Sequence, residues 1–128
     1  MRDETILKTL SALYVEDDAA MLDGLAKFMR RRFGDVYLAK NGKEGLELYI
    51  THNPDIVITD IEMPVMNGIV MINKILKIKN DQPIIITTAF NDDDHVSNRC
   101  VNLIKPINVE RLIDAIFCCI EGKMREAM

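Results

Sequence analysis

Long apolar runs are absent from this 128-residue sequence, and none approaches the roughly 18 residues that a membrane-spanning helix needs. Its first positions carry Asp3 and Glu4 in place of the apolar centre of a signal peptide. The expectation is a cytoplasmic protein with no membrane partner. A basic surplus is absent as well. With 16 Lys and Arg against 20 Asp and Glu, the net charge is -4 and the pI about 5.1, a balance that does not attract polyanions and excludes direct nucleic-acid binding. Cysteine is scarce and oddly numbered. Cys100, Cys118 and Cys119 form no C-x-x-C, and the adjacent pair does not easily share a tetrahedral metal, so reduced, partly buried thiols are expected. The two histidines, His52 and His95, lie far apart without ligand spacing and read as solvated or turn residues. Internal repeats and low-complexity tracts are missing too.

What is present is one domain's worth of ordinary globular sequence: 48% hydrophobic, 28% charged, mean hydropathy +0.03. Residues 1–128 read as a single domain, with 1–10 as an N-terminal extension and 121–128 as the possible start of a linker. Short β-like runs alternate with helical spacing, which argues for an α/β fold. Ala12 to Val15 form a first strand ending abruptly at Glu16-Asp17-Asp18; Met21, Leu22, Leu25, Met29 and Phe33 then recur at helical intervals. Val36 to Ala39, Ile56 to Thr59, Ile84 to Thr88 and Val101 to Ile104 supply four more strands. Helical patterns follow at Leu46 to Ile50, at Ile69 to Ile78 and at Val109 to Ile120, a (βα)5 order in a doubly wound parallel sheet.

In such sheets the functional site lies at the carboxyl ends of the strands, where Glu16, Asp17, Asp60 and Thr88 fall. If the first and third strands are neighbours, three carboxylates converge too closely to stay ionised without a cation. Mg²⁺ suits them, since it takes oxygen ligands and commonly pairs carboxylates with a phosphate oxygen. Thr88 offers a hydroxyl donor and Lys105 a compact cation, together an oxyanion pocket. Pro106 follows Lys105, and X-Pro is the bond type in which a cis peptide is accessible enough to aim the preceding side chain inward.

The ordered set Leu13-Tyr14-Val15-Glu16-Asp17-Asp18, Ile58-Thr59-Asp60-Ile61-Glu62-Met63-Pro64, Asn67-Gly68, Thr87-Thr88-Ala89 and Leu103-Ile104-Lys105-Pro106 resembles the receiver domain of two-component response regulators. The likeness spans nearly the whole chain. It implies a five-stranded sheet of order 2-1-3-4-5 and a phosphoacceptor switch that catalyses only its own phosphorylation and dephosphorylation. By that resemblance, Asp60 accepts a phosphoryl group from a phosphohistidine of a sensor histidine kinase or phosphotransfer protein. Asp17, Asp60 and the backbone carbonyl of Glu62 hold Mg²⁺, and Glu16 assists through a water. Thr88 bonds the phosphoryl group, Ala89 leaves room for it and Lys105 neutralises it, while Glu62 and Phe90 flank the path of attacking water. Two other readings stay open: a receiver-shaped interaction domain that no longer cycles phosphate, and a phosphohydrolase of the haloacid-dehalogenase type. The second wants an Asp where Glu62 stands.

The sequence departs from the family in one region. Only about ten residues separate Phe90 from Val101, the lower limit for a βαβ crossover, and three of them are consecutive acids, Asp92 to Asp94. The fourth helix is expected to be shortened or missing. Asn102 stands where the family carries an aromatic switch residue. A missing helix uncovers apolar side chains, with Ile75, Ile78, Leu103 and Ile113 as candidates, and predicts a homodimer through that face.

Overall fold

Ile56–Asp60 and Ile84–Thr88 are buried along their whole length, as their unbroken β-branched runs demand of central parallel strands. They are β3 and β4 of a computed structural model that describes residues 3–89 and 100–127. Ser11–Val15 (β1), Asp35–Ala39 (β2) and Cys100–Ile104 (β5) complete a wholly parallel sheet of order β2-β1-β3-β4-β5. Among the described residues the α-helices are α1 (Ala19–Arg30), α2 (Gly42–His52), α3 (Gly68–Ile78) and α4 (Val109–Ala127). The expected topology is therefore present. The expected shortening of a helix between β4 and β5 concerns residues 90–99, which lie outside the described residues, as do Phe90 and His95.

Strand alternation divides the core in two. Tyr14, Ile58 and Ile85 face one side, where Met29, Phe33, Leu112 and Ile116 cover them. Leu13, Val15, Val57, Ile84 and Ile86 face the other, against Tyr49, Met71, Ile72 and Ile75. Ile75 thus corrects one expectation: it is fully buried against the sheet rather than uncovered, because its turn of α3 points inward. Ile78, one turn on, is 58% exposed.

The residues read as an N-terminal extension belong to the fold. Glu4–Thr9 form a 3-10 helix, capped by the Asp3 side chain, that drives Leu7 into the core beside Phe33. At the other end, α4 continues to Ala127, into the stretch read as a linker start.

Three helix starts are fixed by side-chain caps that the sequence displays. Asp18 accepts from the Met21 N–H, Asn41 from Glu44 and Asn67 from Val70, at 3.1, 2.9 and 2.9 Å. Each cap begins a helix just beyond a strand end, so α1 and α3 start beside Glu16 and Asp60. Asn53 closes α2 in the left-handed conformation, φ 49°.

Candidate functional site

Parallel pairing brings β1 and β3 side by side, with Val15 opposite Thr59, so Glu16 and Asp60 emerge together one residue later. Oxygen atoms of Glu16, Asp17 and Asp60 all lie within 4.8 Å of one another. Glu16 is 1% exposed and Asp60 9%, whereas Asp17 opens to solvent. Hard oxygen donors at that spacing, two buried and one reachable, fit a divalent cation such as Mg²⁺.

Lys105 spans the pair. Its Nζ donates to Glu16 Oε1 at 2.9 Å and to Asp60 Oδ2 at 3.1 Å. The backbone places it there: the Lys105 N–H donates to the Thr88 carbonyl at 2.7 Å, and the Lys105-Pro106 peptide is cis. The other carboxylate oxygens are held by main-chain donors. Glu16 Oε2 accepts from the Asp18 N–H at 3.1 Å and Asp60 Oδ1 from the Ile61 N–H at 2.7 Å.

These contacts set the electrostatics. Burial raises the Glu16 carboxyl above its ordinary range, and the hydrogen bonds from Lys105 and Asp18 oppose that only in part. For Lys105, burial works to lower the ammonium, but the bonds and charges of Glu16 and Asp60 outweigh it and hold the group above its usual value. Desolvation therefore dominates at the carboxylate and pairing at the lysine, in keeping with Glu16 being the more deeply buried partner.

The loop after Asp60 is bound tightly to the site. The Gly68 N–H donates to the Ile61 carbonyl at 2.7 Å, and a Cβ at Gly68 would collide with the Asp60 carbonyl oxygen. The Gly42 N–H donates to the Met66 carbonyl at 2.9 Å, and a side chain there would collide with that oxygen. Between these ties, Val65 has φ 70° and a three-residue turn closes from the Met66 N–H to the Pro64 carbonyl at 2.7 Å.

The structure thus brings Glu16, Asp17, Asp60 and Lys105 together. Thr88 is buried at the end of β4, opposite Ile104 in register, while Glu62, Ala89 and Pro106 are exposed at the rim. Asn102 lies in β5 with its Oδ1 buried and without a partner among the described residues. Two hydroxyls escaped the sequence reading. Thr87, paired in register with Asp60, and Tyr14, two residues before Glu16, are buried with no hydroxyl partner among the described residues. Period-two alternation could have found both, since it puts Tyr14 on the face of Glu16 and Thr87 on that of Asp60. Burial, and then the charges of Glu16, Asp60 and Asp18, push the Tyr14 phenol well above its ordinary value.

The family model of the response regulator receiver domain matches residues 12–117. This chain belongs to that family. The receiver is 31% identical to the chemotaxis protein CheY of Bacillus subtilis, over 81% of this chain and 92% of that one. It is 30% identical to a cyclic di-GMP phosphodiesterase of Thermotoga maritima, but although that match takes in 80% of this chain it spans only 29% of that protein. Among solved structures, the response regulator protein TrrA of Thermotoga maritima, in complex with Mg(2+)-BeF, superposes with TM-score 0.77 at 29% identity, over 86% of this chain and 98% of that one. No helix among the described residues is long and apolar enough to cross a membrane.

Proposed function

We propose that this receiver is a working phosphoacceptor, and that Asp60 takes a phosphoryl group from a phosphohistidine on a sensor histidine kinase or phosphotransfer protein. The observation that carries this is the Lys105 ammonium bridging Glu16 and Asp60, 2.9 and 3.1 Å away, beside an exposed Asp17. An Asp60 carboxylate oxygen attacks phosphorus, the P–N bond breaks, and the imidazole leaves with the electron pair and is reprotonated. Asp17, Asp60 and the Glu62 carbonyl, with help from Glu16, would hold Mg²⁺, which when bound would supply charge neutralisation for the phosphoryl oxygens. The protein's own part is orientation and compensation. The Ile61 N–H fixes the acceptor carboxylate through Oδ1. Lys105 exchanges its bonds to Asp60 and Glu16 for bonds to the phosphoryl group, Thr88 donates its hydroxyl to a second oxygen, and Ala89 leaves space beside them.

By the family resemblance, Glu62 and Phe90 would set the lifetime of the acyl phosphate by flanking the path of attacking water. The output is a change in protein contacts. A second copy of this chain is one such contact, for which Ile78 and Ile104, 58% and 50% exposed, leave apolar surface open. Sedimentation at several concentrations tests it. The solvent-reachable Asp17 beside the lysine-paired Asp60 favours the phosphoacceptor reading over a receiver-shaped domain that has lost phosphate cycling, because that donor set suits a divalent cation and a phosphoryl group.

Incubation with acetyl phosphate and Mg²⁺, followed by intact mass measurement and peptide mapping, tests the reading. One phosphoryl group at Asp60, absent in Asp60→Asn, is expected. An unchanged mass, or phosphate on His52, overturns it.

A further inference from the structure

Tyr14 lies wholly inside the core, yet its hydroxyl finds no hydrogen-bond partner among the described residues. Burying a phenol oxygen in that state costs free energy that phenylalanine, filling the same space, avoids. Its position is particular. Tyr14 pairs in register with Ile58, and the next residues on that face of β1 and β3 are Glu16 and Asp60. The charges of both reach the phenol.

Glu16 is fully served only while Lys105 faces it. Oε2 accepts from the Asp18 N–H, and Oε1 accepts from Lys105 Nζ. On the phosphoacceptor reading above, on which this inference rests, Lys105 turns toward the phosphoryl group. Oε1 of a carboxylate that is 1% exposed then loses the lysine that offsets its burial at rest.

We propose that the Tyr14 hydroxyl donates to Glu16 Oε1 when Lys105 leaves it, making Tyr14 a positioning residue of the phosphorylated state. The orphan hydroxyl at rest is the counterpart of that bond. Unphosphorylated protein leaves the phenol unpaired and the carboxylate paired; phosphorylated protein hands the carboxylate from lysine to tyrosine. No proton changes owner.

The test uses beryllium fluoride with Mg²⁺ as a phosphoryl mimic on the full chain. Tyr14→Phe should lose about tenfold in affinity for the mimic, the worth of one hydrogen bond to a charged group. Its affinity for Mg²⁺ alone should change far less, and its thermal midpoint without ligand should equal or exceed that of the parent. A spectroscopic arm is available because the chain has three tyrosines and no tryptophan. Adding the mimic should quench tyrosine emission in the parent, in Tyr37→Phe and in Tyr49→Phe, but not in Tyr14→Phe. Unaltered affinity for the mimic in Tyr14→Phe, or quenching that survives in it, overturns the role of Tyr14. Failure of the parent itself to take up the mimic and to accept phosphate from acetyl phosphate overturns the phosphoacceptor reading, and this inference with it.

Discussion

The ammonium of Lys105 lies 3.1 Å from Asp60 Oδ2 although Lys105 directly follows β5, Asp60 ends β3, and β4 runs between those strands. A side chain must cross the width of a strand to make that contact, and the Thr88 carbonyl at the end of β4 holds the Lys105 backbone. The same nitrogen compensates Glu16.

Removing it leaves two buried acids facing each other. Lys105→Met should therefore destabilise the Mg²⁺-free protein at neutral pH by about 2–3 kcal/mol, somewhat below the range for breaking a fully buried pair because the site is partly open. Urea unfolding measures this, and millimolar Mg²⁺ should restore much of the loss.

Asp17→Asn and Asp60→Asn should each weaken Mg²⁺ binding by about tenfold or more, the equivalent of losing one charged ligand. Isothermal titration reads the affinity. Equal affinities in both variants and the parent would remove the proposed site.

Two glycines predict opposite signs. A side chain at Gly68 would strike the Asp60 carbonyl, so Gly68→Ala should destabilise and distort the acceptor loop. Gly24 is in the middle of α1 with open space around its missing Cβ, so Gly24→Ala should stabilise by about 0.5–1 kcal/mol. Val65 adds a third case. At φ 70° and 77% exposed, a β-branched residue is strained, and Val65→Gly should stabilise by about 1 kcal/mol in thermal unfolding.

Alkaline pH probes the buried phenols. Burial raises Tyr49, which donates to Gln82 Oε1 at 2.8 Å, and Tyr14 is raised as well. Groups raised on folding contribute fully below their unfolded value, about 10 for tyrosine, and that contribution is lost as pH climbs through the folded value. Stability should fall with rising pH above about 10, and less steeply in Tyr49→Phe. Chemical unfolding at stepped pH checks the slope.

Much of this architecture is legible in the residues. The unbroken Ile and Val runs of β3 and β4 announce buried parallel strands, and Asp18, Asn41 and Asn67 announce helix starts through a local chemistry that needs no tertiary context. The convergence of Glu16, Asp17 and Asp60 follows once β1 and β3 are neighbours, and Lys105 joins them as the family resemblance implied. Leu7 was not legible, because two adjacent apolar residues, Ile6 and Leu7, in a short 3-10 helix have no period to reveal which is buried. The inward turn of Ile75 was misjudged for a different reason: an apolar helix shows which residues are hydrophobic but not which of its sides meets the sheet. Tyr14 passed for an ordinary strand residue since its ring belongs to the core and only the lack of a partner for its buried hydroxyl sets it apart.

The ties of Gly42 to Met66 and of Gly68 to Ile61 give the acceptor a fixed jaw on the α3 side. A vice with one fixed jaw moves only the other. On the phosphoacceptor proposal, volume and charge added at Asp60 would meet that fixed side and be accommodated by the side chains opposite it, Lys105 first among them.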